Sequence, residues 1–272
     1  MSAFYELVDK KVDTEKQLVQ SIYQPTLHAQ GAWNANEQHM GPVSGLLAAE
    51  IEQFFPRDDM RLGRISFDIF GKMHLDQCTV QTRLIRPGRT IELVESQMEI
   101  RGQVCVVARA WRLLTQDSSA IEGQEDQPVP GPHAGGMVWT EQEGWRGGYI
   151  QGLSAVQMPG HRPGKGLVWL NTDKVLVAGQ PDSDFAHLMS LVDMANGVAH
   201  RQCDAELLWA FPNLDLQIHM LRQPSGRWLG LEAVQQYSSD GIGLSSAVLH
   251  DEHGPFGRSE QILTLRPMAQ PL

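Results

Sequence analysis

A chain of 272 residues, 42% apolar and 20% charged, has globular composition and enough length to bury one large core or two small ones. Its formal net charge of −10 argues against a nucleic-acid or anionic-membrane partner, which would need clustered Lys and Arg. A small anionic ligand held by a few local arginines stays compatible. The N-terminal stretch MSAFYELVDKKVDTEK is charged and has no apolar leader core, and no run of about 18 apolar residues follows. A soluble, cytoplasmic protein without a membrane span is expected. Three cysteines, Cys78, Cys105 and Cys203, have no close pair, which argues against a disulfide framework or a Cys-rich zinc site. Cys78 and Cys105 fall inside strand-like runs and read as small core residues.

In chain order, QLVQSIYQPTL is a first strand candidate, followed by a helix over Gly41–Pro56 with Pro42 in its opening turn. Four strand-like runs come next: RISFDIFGKM, QCTVQTRLIRPG, TIELVESQMEI and QVCVVARAWRLL. Short turns at Pro87-Gly88 and Arg101-Gly102 join them as hairpins. A stretch dense in Gly, Pro, Ser and acids, SSAIEGQEDQPVPGPHAGG, reads as an exposed linker. The order then repeats. VQMPGHRPGKGLVWLN holds the strand candidate and FAHLMSLVDMANGVAHR the helix, Phe185–Arg201. NLDLQIHMLRQ, RWLGLEAVQQYS, GLSSAVLHDEHG and FGRSEQILTLR are its strands. This approximate duplication, at a period of about 145–150 residues, divides the chain into repeats over 1–118 and 137–272 with a linker over 119–136. A helix followed by antiparallel hairpins, done twice, is an α+β pattern. Both helices are too apolar to lie outside, so each must be wrapped by its own curved sheet.

This order resembles the type II acyl-CoA thioesterases of the double-hotdog superfamily. The stretches that carry the resemblance are QHMGPVSGLLAAE, FPNLDLQIHMLR, GRWLGLEAVQQYSSDGIGLSSAVLHDEHGPFGRSEQ and the second helix with its aspartate. It covers most of the chain outside the linker. It implies a double hotdog, two fused copies each with an antiparallel sheet around a central helix. It implies hydrolysis of an acyl-CoA to fatty acid and CoA without a cofactor, and a homodimer or larger assembly. By position, the family's catalytic set falls on Asp193, Asn213 and Gln261. Asn213 departs from the threonine or serine taken as the norm.

Read from the residues, Asp193 shares a small polar helix face with Met189, Ser190, Asn196 and Gly197. It faces either water or a substrate, and the lack of Lys, Arg or Glu on that face favours the substrate. Gln261 alternates in phase with Leu263 and Leu265, which turns it inward, as a reacting group or as a satisfied core amide. Asn213 alternates with Asp215, Gln217 and His219, the outward side, unless a strand start or bulge redirects it. Alignment of the halves sets Leu46, Arg64 and Trp111 opposite Asp193, Asn213 and Gln261. None of the three could replace its partner, so one site per chain, between the copies, is expected.

In such a site the three residues would hold a water whose proton passes to Asp193, with direct carboxylate attack as the alternative. Backbone N–H groups of Gly41 and Val43, at the start of the first helix, are the oxyanion donors expected. Met189, Met194 and Trp209 are candidates for the acyl chain, and Arg222, Arg227, Arg258 and Arg266 for the CoA phosphates. No Gly-x-Ser-x-Gly elbow is present, and PGHRPGKG lacks the spacing of a phosphate loop. With His250 and His253 at a hairpin tip and no His-Glu-x-x-His, no metal is expected. Two competing functions remain. One is a binder of acyl-CoA or lipid. The other is an enoyl-CoA hydratase, whose Asp and His should lie about one turn apart, closer than Asp193 and His200.

Overall fold

Alternating apolar residues, rich in Val, Ile and Leu, build most of the molecule as strands. A computed structural model describes residues 2–140, 144–202 and 208–268. The first half holds β1 (Ala3–Asp13), β2 (Leu18–Pro25), α1 (Met40–Gln53), β3 (Met60–Ile69), β4 (Cys78–Arg86), β5 (Ile91–Ile100) and β6 (Gln103–Leu114). The second holds β7 (Met137–Val138), α2 (Gly148–Gln151), β8 (Leu153–Gln157), β9 (Lys165–Thr172), β10 (Val175–Val177) and α3 (Asp184–Val192). It continues with β11 (Trp209–Ala210), β12 (Asp215–Met220), β13 (Leu229–Tyr237), β14 (Ile242–Asp251), β15 (Gly254–Thr264) and β16 (Arg266–Pro267).

One 14-stranded sheet runs β10-β1-β2-β4-β5-β6-β3-β12-β15-β14-β13-β9-β8-β7. Read outward from the β3–β12 seam, where Ile65 faces Ile218, the two halves repeat the same strand order. This is the double hotdog: each half-sheet curls around one helix. The hairpins follow from local chemistry. Between β5 and β6, Arg101 and Gly102 both have positive φ (55° and 75°), as a two-residue type I′ turn requires. The ladder Ser66–Arg109–Glu95 in the first half answers to Gln217–Glu260–Ser246 in the second. That register sets Ala110, not Trp111, opposite Gln261. Trp111 lies on the outer face, with the Arg86 guanidinium over its ring.

Two strands, β1 and β2, precede α1 and four, β7 to β10, precede α3, rather than one each, so β1, β7, β8 and β10 add to the strands expected from sequence. β1 escaped notice because only its first residues are buried, and the rest projects with charges. The second helix is also shorter than its apolar pattern: α3 stops at Val192, and Asp193–Asn196 form a 3-10 turn. Asp193 therefore sits at a helix end. The helices cross at small residues. A Cβ on Gly45 would lie 2.6 Å from the Ser190 Cβ, and the Ser44 hydroxyl donates to the Met189 carbonyl at 2.9 Å. Residues of the predicted linker are held along the second half: Arg258 Nε donates to Asp126 at 3.0 Å, and Trp169 Nε1 to the Pro130 carbonyl at 2.9 Å. Cys78 and Cys105 are buried free thiols, and Cys203 lies outside the described residues.

Candidate active site

Where α3 gives way to its 3-10 turn, Asp193 is left only 6% exposed at the edge of a cavity of about 500 Å³. Both halves line that cavity, Gln38 to Met40 and Ile69 to Met73 from the first, and Asp193, Phe211 and Asn213 among others from the second. Burial pushes the Asp193 carboxyl up to about 6, partly opposed by a hydrogen bond from Asn213. Asn213 Nδ2 donates to Asp193 Oδ1 at 2.9 Å and to Gln261 Oε1 at 2.9 Å, so one amide clamps both partners. Gln261 Nε2 reaches the Asp193 carbonyl at 3.5 Å. Gln261 is 1% exposed and is not among the cavity's lining residues, so it stands behind Asn213.

The outward direction that alternation gives Asn213 is wrong. β12 begins only at Asp215; Asn213 lies before it, in an isolated bridge to Leu263, and the bend at Leu214 turns its side chain in. A strand's period constrains only residues inside the strand.

The fourth polar group comes from the other half. His39 caps α1, with its Nδ1 accepting the Gly41 N–H at 3.0 Å, and the same nitrogen lies 3.2 Å from Asp193 Oδ2. Burial pushes this imidazole down to about 3, so it is neutral and the contact is not an ion pair. An Nδ1 that accepts from Gly41 carries its proton on Nε2. Its single Nδ1 lone pair, already accepting from Gly41, is what Asp193 meets, so a protonated carboxyl donating there shares that acceptor with the Gly41 N–H. Tyr149 fixes the ring from behind, with centroids 4.3 Å apart, and its hydroxyl donates to the Ser190 carbonyl at 2.6 Å.

Comparison with known proteins places the chain in a family. Residues 29–113 match the acyl-CoA thioesterase N-terminal domain, and residues 124–265 match the acyl-CoA thioesterase C-terminal domain. The chain belongs to the acyl-CoA thioesterase family. Thioester hydrolysis is the reaction class that membership brings. No curated protein matches the chain. Among solved structures, a hot-dog-fold protein of unknown function from Alicyclobacillus acidocaldarius superposes with a TM-score of 0.72 at 12% identity, covering 95% of this chain and 96% of its own. A candidate thioesterase from Novosphingobium aromaticivorans gives 0.70 at 14% identity, covering 94% and 98%. Acyl-CoA thioesterase II of Mycobacterium marinum gives 0.67 at 14%, covering 96% of each. At such identities these likenesses speak for the fold.

Against the sequence-based expectations, the thioesterase departs in several places. Gly41 N–H is taken by His39, and Val43 lies where its N–H serves the first helical turn, so neither is a free donor. Met40 supplies the first amide of α1 and lines the cavity. Met194 lines it too, whereas Met189 is fully buried and does not. Trp209, 46% exposed on β11, does not reach it. Arg222 is tied to Asp251 by two bonds of 2.6 Å, and Arg258 to Asp126; neither lines the cavity, because each is consumed by a structural ion pair. Arg227 lies 3.9 Å from Asp182, also away from the cavity. Arg266 does line it, joined by Lys72, which the sequence had not singled out and whose ammonium lies 3.3 Å from Glu37, another lining residue. His39 was also missed. Its only signal was a histidine placed just before a Gly-Pro helix start. Among the described residues no group of three or more His, Cys, Asp and Glu side chains could hold a metal ion.

Proposed function

We propose that this chain hydrolyses acyl-CoA thioesters to the free acid and CoA, with Asp193 as the base. The observation that carries the reading is the clamp. A buried carboxylate lines a cavity, one of its oxygens is held by Asn213, and Asn213 is itself held by Gln261. Both N–H bonds of the Asn213 amide are used in that clamp, which leaves its carbonyl oxygen as an acceptor. Asp193 and that oxygen together orient a water toward the thioester carbonyl. As the water oxygen bonds to the carbonyl carbon, its proton passes to Asp193. The protonated acid then shares the His39 Nδ1 lone pair with the Gly41 N–H, which favours the acid form and strengthens the base. The Met40 N–H, at the positive end of α1, faces the developing oxyanion. Collapse breaks the C–S bond, and the proton returns to the departing thiolate. Lys72 and Arg266 stand at the cavity for the CoA phosphates.

Release of free CoA thiol across an acyl-CoA panel tests this. Wild type releases it; Asp193→Asn loses about 10²-fold or more. Equal release by both removes the assignment, and binding without release marks a binding protein. A second reading gains one observation. His39 supplies at 3.2 Å the Asp–His pairing that His200 does not, as an enoyl-CoA hydratase needs. Loss of the enoyl absorbance of crotonyl-CoA, without thiol release, would establish that activity instead.

A further inference from the structure

The acyl side of the cavity is unusually shaped for a chain of methylenes. Trp33, Trp145 and Phe211 line it and meet pairwise edge to face, at centroid distances of 5.2, 5.3 and 5.9 Å and interplanar angles of 80°, 90° and 78°. Three mutually near-perpendicular rings form the corner of a box. A flat ring placed there meets a face on one wall and edges on the others, the arrangements that aromatic quadrupoles favour. Trp139 lines the same cavity at 1% exposure, and among the described residues its buried Nε1–H has no hydrogen-bond partner. The π face of a bound ring gives that N–H an acceptor, which a saturated chain does not.

The corner is also closed to further methylenes. Around Phe211, Asn196 Nδ2 donates to the Phe211 carbonyl at 3.1 Å, and the fully buried Gln235 donates to the Asn196 carbonyl at 2.6 Å. A hydrocarbon tail driven on would strip hydrogen bonds from buried groups. The other way, between the helices, is filled: a Cβ on Gly41 would lie 2.5 Å from the Tyr149 hydroxyl oxygen.

Resting on the thioesterase reading, we propose that this site selects compact aromatic acyl groups over long straight chains. The test is kcat/KM for benzoyl-CoA and 3-phenylpropionyl-CoA against octanoyl-CoA and palmitoyl-CoA. The expected result is a preference of about tenfold or more for the aryl substrates over both straight chains. Trp145→Leu and Trp33→Leu, which keep apolar bulk, should lower the ratio of the aryl to the octanoyl-CoA kcat/KM by about tenfold. A wild type that prefers octanoyl- or palmitoyl-CoA, with activity that still depends on Asp193, overturns the aryl selection and leaves the hydrolase standing. If no thioester is cleaved, the hydrolase reading fails, and calorimetric titration of the same CoA esters into the wild-type protein decides the selection alone. Aryl esters bound about tenfold tighter uphold it, and equal or weaker binding overturns it.

Discussion

Two buried carboxylates sit on the two central helical segments, and they do opposite things. Glu50, on α1, is 3% exposed and gathers three donors on one oxygen. The Ser21 hydroxyl reaches it at 2.8 Å, the Tyr23 hydroxyl donates to the same oxygen, and Lys10 lies 3.5 Å away. Asp193, after α3, is 6% exposed, takes one strong donor from Asn213, and meets a neutral ring and a cavity on its other side. Burial alone therefore does not mark a reacting group. Unfilled hydrogen-bonding capacity beside open space does.

Substitutions can break that comparison. The largest expected effect is on turnover: Asp193→Asn should lower kcat/KM by about 10³-fold, within the range of general-base losses, while Glu50→Gln should leave it within about twofold. CoA thiol release measures both. Stability should move the opposite way. A carboxyl held near 6 instead of 3.8 burdens the folded state by about 3 kcal/mol once it is ionised in both states. Asp193→Asn should then be about 3 kcal/mol more stable than wild type at pH 8. Because the folded acid binds its proton first as pH falls, the difference should shrink below about pH 6 and vanish below 3.8. Glu50→Gln should instead lose about 1–3 kcal/mol, since three donors lose a charged acceptor. Urea unfolding at pH 8 and pH 4 reads these values.

Smaller effects sharpen the picture. The acid limb of the kcat/KM profile should fall near pH 6, where Asp193 takes up its proton. His39→Phe keeps the site dry but removes the acceptor for the acid form, so that limb should move to lower pH. A limb left in place would deny His39 any part in setting the base. Smallest of all, Arg266→Ala and Lys72→Ala should each raise KM for the CoA ester about two- to fivefold with kcat unchanged, as exposed charge contacts do.

The strands and the duplication were legible because period-2 alternation and hairpin turns are local signals that repeat. Gln261 was legible for the same reason, lying inside a strand with Leu263. Asn213 was not, because one bend outside the strand decides its direction. His39 was invisible as a partner of Asp193, since it comes from the other half and no local pattern couples the two. Arg222 and Arg258 read like any exposed arginine, and only their fixed partners, Asp251 and Asp126, tell them apart from Arg266. The end of α3 eluded the apolar pattern too, which runs on past Val192 while the backbone tightens.

The β3–β12 seam has one more consequence. Were each copy a separate chain, identical protomers would meet there, and every substitution would land on both sides of the axis at once. Joined in a single polypeptide, the twins are free to differ. Ala110 can stay small where Gln261 must reach, and His39 can answer an aspartate that its own copy lacks. Covalent tethering thus turns a mirror into a division of labour.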